Sequence, residues 1–216
     1  MKCGLCGTPH TKLFYQQTRG TLQGREFWRC QNCELIQVPA VHRLSLADEK
    51  AIYDYHENDP QDPHYRSFLD RAAVPLQSRL HSGAQGLDFG SGPGPTLSLM
   101  LTERGFPCAI YDVFYAPDTK VLNTTYDYIT CTEVIEHIAA PADVLEQLLQ
   151  CLKPGGWLVL MTKRWRDLAQ FKGWNYRNDP THISFFHQHT IDWLACHWSL
   201  RIDYLSDDVV IFQTKG

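Results

Sequence analysis

The stretch GLDFGSGPGPTLSLMLTERGF, residues 86–106, constrains the fold more than any other part of the chain. Leu87 and Phe89 give the apolar start of a strand, and the run Asp88-x-Gly90-x-Gly92-x-Gly94 follows. Leu97, Leu99, Met100 and Leu101 then set out a helix. Glycines at a strand-to-helix turn let the main chain approach a ligand closely. CAIYD, residues 108–112, reads as the next strand and ends in Asp112. An acid at that point is placed to bind ribose hydroxyls. The third glycine follows the second by two residues, whereas the dinucleotide fingerprint spaces it by three.

The amino-terminal segment is of another kind. Cys3-x-x-Cys6 and Cys30-x-x-Cys33 supply four thiolates from two knuckles, the spacing of a zinc ribbon. Gly4 and Gly7 help the first knuckle turn tightly, so that main-chain amides face the sulfurs. LFYQQT and REFWRC read as short strands on either side of a turn at Gly20 to Gly24. A closed four-thiolate site leaves no open position for chemistry, so the ribbon is expected to be a scaffold or a docking surface. Cys108, Cys131, Cys151 and Cys196 lie in apolar contexts without ligand spacing and read as buried small hydrophobes.

With 216 residues, 44% hydrophobic and 20% charged, the chain suits one full domain plus a small appendage. Apolar runs fall short of a membrane span, and MKCGLCGTPH lacks the apolar core of a signal peptide. The expectation is a cytoplasmic protein with reduced thiols and no membrane partner. A net charge of −4 argues against non-specific binding of nucleic acid. Residues 1–45 nevertheless carry six Lys/Arg (Lys2, Lys12, Arg19, Arg25, Arg29, Arg43) against Glu26 and Glu34. A basic ribbon is compatible with RNA docking, a solvated surface being the plainer reading. Residues 46–64 read as a short helix and a loop. Residues 65–81 have helical spacing, with Pro75 expected to kink or break the run.

Together the glycine run and Asp112 resemble the class I S-adenosylmethionine (SAM)-dependent methyltransferases. The resemblance continues through YDYITCTEVIEHI (fourth strand and following turn), LKPGGWLVLMTK (pre-strand turn and fifth strand), and the closing pair RIDYL and VVIFQTK. It implies an α/β, Rossmann-like sheet over residues 65–216, joined by a linker or lid at 41–64 to the ribbon at 1–40. It also implies that Asp88, Gly90, Gly92, Gly94 and Asp112, with Thr132 and Glu133, bind SAM. Only fourteen residues separate Asp112 from Asp127, so the third strand is expected to be shortened or missing, with a loop around Pro117 and Asp118.

TEVIEHI, residues 132–138, carries Glu133, Glu136 and His137 at i, i+3 and i+4, which would share one face of a helix. In such a fold the residues after the fourth strand face the reactive end of the cofactor. Three readings stay open. Glu133 caps a helix that Glu136 and His137 support; His137 is a general base; or the three bind a divalent ion. NYRNDPTHISFFHQH, residues 175–189, adds His182, His187 and His189. Glu-x-x-Glu-His with a later His is similar to the small-RNA 3′-end 2′-O-methyltransferases and to the ubiquinone-biosynthesis O-methyltransferases. That likeness implies Glu133, Glu136, His137 and His182 as ligands of Mg or Mn, beside a zinc on Cys3, Cys6, Cys30 and Cys33. His182 and His137 are the candidate catalytic residues. Trp165, Trp174, Tyr176, Phe185 and Phe186 either line a pocket for a planar acceptor or simply pack the loop. The expected function is SAM-dependent O-methylation of a small molecule. The alternatives are an RNA methyltransferase docked through the ribbon and a non-catalytic SAM-binding module.

Overall fold

A computed structural model describes residues 1–55 and 58–216; within the expected linker, positions 56 and 57 lie outside the described residues. Strands β1 (Thr11–Gln16) and β2 (Glu26–Cys30) form an antiparallel hairpin, followed by β3 (Ile36–Gln37). Helices α1 (Leu46–Tyr53) and α2 (Pro63–Gln77) come next. The body then runs β4 (Gly86–Phe89), α3 (Thr96–Glu103), β5 (Cys108–Tyr111), β6 (Tyr126–Thr132), α4 (Pro141–Gln150) and β7 (Leu152–Met161). It ends with β8 (Arg164–Trp165), α5 (Leu168–Gly173), β9 (Ser184–His187), α6 (Gln188–His197), β10 (Arg201–Leu205) and β11 (Val209–Gln213).

Among the described residues a six-stranded sheet has the order β10-β11-β7-β6-β4-β5. β5, β4, β6 and β7 are parallel, and β11 and β10 close the edge antiparallel. The central strands are buried on both faces, as parallel strands covered by helices must be. Leu158, Leu160, Val210 and Phe212 join one apolar cluster, while Val159, Met161, Val209 and Ile211 join another against α2 and α3. No strand follows β5 before β6 among the described residues. An Asp112–Ala116 bridge and a 3-10 turn, Thr119–Asn123, occupy that stretch. A parallel crossover takes a dozen or more residues by itself, so fourteen cannot hold two helices and a strand.

Two expectations change. α2 continues through Pro75 and ends two residues later. In the last helical turn the missing N–H forfeits a single intrahelical bond. Cys131 and Cys151 are buried and Cys108 is half-buried, but Cys196 is exposed. α6 turns Thr190, Ile191 and Leu194 inward, which leaves position 196 on its outer side.

The ribbon shares a sheet with the body. β3 pairs with β2 on one side and with β9 on the other, giving the order β1-β2-β3-β9-β8. Cys3, Leu5, Cys33 and Leu35 lie in the same apolar cluster as Leu87, Ile129 and Phe186. Phe27, Ile36 and Val38 pack with Trp165, Phe171, Tyr176 and Phe185. No helix among the described residues is long and apolar enough to cross a membrane.

Candidate active site

A cavity of about 830 Å³ is lined by the glycine turn, by Tyr111 to Tyr115, by Thr132 to Val134, and by the 179–183 loop. Arg43, Glu49 and Tyr53 line it from the segment after the ribbon. It lies where β4, β5 and β6 end, the edge at which open α/β sheets bind ligands.

Gly90 and Gly92 have left-handed φ values of 78° and 66°. A Cβ on Gly90 would fall 2.3 Å from a methyl of Val134, and one on Gly94 would fall 2.0 Å from the Asn58 carbonyl oxygen. Gly92 N donates to Asp112 Oδ2 at 2.9 Å, while Asp112 Oδ1 accepts from Phe114 N and Tyr115 N at 2.8 and 3.0 Å. Asp88 is buried and accepts from Thr130 Oγ1 at 2.7 Å. Burial pushes its carboxyl up to about 6. Ser91 Oγ is buried without a hydrogen-bond partner among the described residues. A glycine cradle with an unused hydroxyl and an acid at the next strand end fits a polar nucleoside cofactor.

TEVIEHI is not an α-helix. Thr132 ends β6, Glu133 turns left-handed with φ 53°, and Ile135–His137 form a single 3-10 turn. Glu133 N donates to Met161 O at 2.8 Å, which keeps the turn on the edge of β7. The three polar side chains therefore do not share a helical face. Glu133 Oε1 is buried and unpartnered among the described residues. Glu136 is wholly buried; Tyr176 donates its hydroxyl to one carboxyl oxygen, and the other has no partner among the described residues.

His137 and His182 complete the cluster. His137 Nδ1 lies 3.2 Å from Thr181 O, and His182 Nδ1 lies 2.7 Å from Tyr176 O. A carbonyl only accepts, so each Nδ1 carries the hydrogen and Nε2 keeps the lone pair. One ligand atom from each of Glu136, His137 and His182 lies within 4.8 Å of the others; Glu133 is outside this set. Burial pushes Glu136 up to about 7 and Glu133 up to about 8, and neighbouring Glu136 adds to the latter. Burial also holds His137 below its ordinary range and His182 at about 4, with His137 adding to that shift. Both kinds of shift favour the uncharged forms: the neutral imidazoles are ready to ligate a cation, whereas the Glu136 carboxyl would release its proton on binding one.

His187 and His189 have other tasks. His187 caps α6 and lies against Trp165, and His189 Nε2 is 3.2 Å from Asn32 O. Among the expected aromatic residues, Tyr176 reaches the polar cluster, Trp165, Trp174 and Phe185 pack with Phe27 and Ile36 of the ribbon, and Phe186 joins the core cluster of Leu87 and Ile129. Sequence reasoning missed Tyr53, whose ring meets that of His137 edge-on at 5.5 Å. It also missed the burial of Arg25.

At the amino terminus the sulfurs of Cys3 and Cys33 are 3.6 Å apart and those of Cys6 and Cys30 3.4 Å, all four lying within 4.8 Å. Tetrahedral zinc with Zn–S of about 2.3 Å separates its sulfurs by about 3.8 Å, so the cluster fits that ion. Amides of Asn32 and Cys33 face Cys30 Sγ at 3.4 and 3.5 Å. Among the basic residues of this segment, Arg25 is buried on internal carbonyls and Arg29 pairs with Glu34.

A family model described as a methyltransferase domain matches residues 55–201. The ubiquinone biosynthesis O-methyltransferase of Photorhabdus laumondii is 31% identical over 88 residues, 40% of this chain and 37% of that protein. The mitochondrial enzyme of the same description from Schizosaccharomyces pombe is 51% identical over 41 residues, 19% of this chain and 15% of that one. These matched stretches span well under half of the relatives' own length. The fold is similar to that of the 1,6-didemethyltoxoflavin-N1-methyltransferase of Burkholderia thailandensis, solved with S-adenosylhomocysteine (SAH), at TM-score 0.58 and 12% identity over 86% of this chain and 98% of that one. The magnesium protoporphyrin IX methyltransferase of Synechocystis, solved with SAM, gives TM-score 0.52 and 13% identity over 80% of this chain and 100% of that one. The chain belongs to the methyltransferase-domain family and has the fold of SAM-dependent methyltransferases.

Proposed function

We propose that the chain transfers the methyl group of SAM to an oxygen of a small-molecule acceptor. The observation that carries this reading is a single cavity lined both by the glycine turn with Asp112 and by Glu133, His137 and His182. The bound cofactor supplies an electrophilic methyl on a sulfonium sulfur. Gly90 and Gly92 line the cavity and would let the main chain approach it, Gly94 lets the turn pack against Asn58, and Asp112 would take the ribose hydroxyls. Thr132 and Glu133, which line the same cavity, would hold its methionine end. Asp88 braces the turn through Thr130.

An acceptor hydroxyl must lose its proton as the methyl arrives. Glu136, His137 and His182 would hold a divalent cation, Mg or Mn, and such an ion lowers the pKa of a hydroxyl bound to it. Both Nδ1–H groups are anchored on carbonyls, the usual support of metal-binding imidazoles. His182 alone, held at about 4 by burial, is a weak proton acceptor at neutral pH, which favours the metal-assisted form over an imidazole base. The two relatives are described as O-methyltransferases, which supports oxygen as the acceptor atom. In this reading residues 1–40 are a zinc ribbon, 41–64 a linker of which Arg43, Glu49 and Tyr53 line the cavity, and 65–216 the methyltransferase domain.

The test is transfer of tritiated methyl from SAM, with automethylation excluded, into a panel of catechols, phenols and RNA 3′ ends. The expected result is labelled catechol and a higher rate when Mn²⁺ is added to zinc-replete protein. Label in RNA alone would replace the acceptor class. Tight SAH binding without label in any acceptor would favour a binding module.

A further inference from the structure

The acceptor side of the cavity is tied to the ribbon by two buried side chains. Arg25, next to β2, is 3% exposed. Its guanidinium donates to three carbonyls of one loop: Asp179 O at 3.0 Å, Pro180 O at 3.0 Å and His182 O at 2.7 Å. Among the described residues it has no ion pair within 4.0 Å. Burial lowers it to about 10, which leaves it charged at neutral pH. A buried cation costs desolvation that an apolar residue would avoid, so it suits a place where one loop conformation must be selected. Its rigid planar fork fixes the directions of these donations from two nitrogens, which the single rotating ammonium of a lysine does not.

Gln37, on β3, is 2% exposed and joins three segments. Its Oε1 accepts from Gly4 N, in the first cysteine knuckle, at 2.7 Å. Its Nε2 donates to Ala139 O, just past the glutamate–histidine turn, at 3.0 Å and to Ser184 Oγ, at the start of β9, at 3.1 Å. Ser184 Oγ donates in turn to Ile138 O at 2.7 Å. A Cβ on Gly4 would fall 2.4 Å from Ala139 O, so the knuckle lies directly against that turn. The cofactor side is braced within itself instead, through Gly90 N to Tyr111 O and Gly92 N to Asp112.

We propose that Arg25 and Gln37 are positioning residues of the acceptor half: from the ribbon they hold the 179–184 loop and the 137–139 turn so that His182 and His137 face each other. The claim rests on the reading of His182 and His137 as acceptor-side groups. It makes the ribbon a support behind the site, acting through the 179–184 loop and the 137–139 turn.

The experiment uses full-length, zinc-replete protein with 13C-labelled histidine, the His182 ring resonance being assigned with His182→Gln. In Arg25→Ala that resonance is expected to shift and broaden, while SAH affinity stays within about twofold. Guanidinium ion at tens of millimolar is expected to restore it, by refilling the three carbonyl contacts. On a catechol acceptor, kcat is expected to fall about 10- to 100-fold with KM for SAM unchanged, and to recover with guanidinium. Should Arg25→Ala fail to fold, Gln37→Met carries the test, with the same resonance shift and the same split between kcat and KM. An unmoved His182 resonance with unchanged kcat would overturn the proposal, as would loss of SAH affinity equal to the loss of turnover. If wild-type protein methylates no acceptor yet the resonance moves and is rescued, the positioning claim stands and the acceptor assignment falls.

Discussion

The imidazoles of His137 and His182 meet edge to face, with ring centroids 4.7 Å apart, and each is pinned through Nδ1 by a main-chain carbonyl. One ligand atom from each imidazole and one from Glu136 lie within 4.8 Å of one another, with Asp179 Oδ2 3.8 Å from His182 Nε2. Calorimetric titration of Mn²⁺ into zinc-replete, SAH-saturated protein should give one site per chain. Glu136→Gln should abolish it, and Glu133→Gln should leave it. A site lost with Glu133 instead would move the metal toward the cofactor.

Tyr176 supports that carboxyl. Its hydroxyl donates to Glu136 and lies 3.2 Å from Thr162 Oγ1. Tyr176→Phe leaves a buried carboxyl without its donor, a loss of about 1–3 kcal/mol. Urea denaturation should detect it as a lower midpoint with an unchanged slope.

Asp88 sets a pH dependence. Burial raises its carboxyl from the ordinary 3.8 to about 6, so between those values the folded chain binds the proton more tightly than the unfolded one. The associated stability is complete below about pH 4 and is lost as pH rises through about 6; it amounts to about 3 kcal/mol. Asp88→Asn should flatten that part of the stability profile, measured by urea denaturation from pH 4 to 8. An unchanged profile would mean that Asp88 does not titrate in this range.

The cysteine cluster makes a stoichiometric claim. A mercurial reagent should release one zinc per chain, and Cys33→Ser should release less and unfold at a lower temperature. Because Cys3, Cys33 and Leu35 share a cluster with Leu87 and Ile129, the loss should lower the single unfolding transition of the whole chain.

Much of the fold was legible because its signals are local. The glycine turn, Asp112, the two knuckles and the short gap before Asp127 each announce a backbone requirement within a few residues. The gap came out as expected, without a strand among the described residues. The geometry of TEVIEHI was not legible, since i, i+3, i+4 spacing carries meaning only on a helix, and Glu133 turns left-handed there. Nor was the role of Arg25: a basic residue in a small ribbon reads as surface until the 179–182 carbonyls, more than 150 positions away, are brought onto it. Long-range pairing such as Ile36 with Phe185 leaves no periodic mark in either segment. Pro75 does not end α2 at its own position, because it falls within the last helical turn.

The central claim is that the glycine turn and Asp112 form a SAM site. The most direct measurement is calorimetric titration of SAH into the zinc-replete chain, alongside Asp112→Ala and Gly90→Val. The account expects one site per chain. Removal of the charged acceptor in Asp112→Ala should weaken it by about 10- to 100-fold. Gly90→Val should abolish it, because the added side chain meets Val134. Absence of binding by the wild-type chain, or binding that ignores both substitutions, would contradict the account.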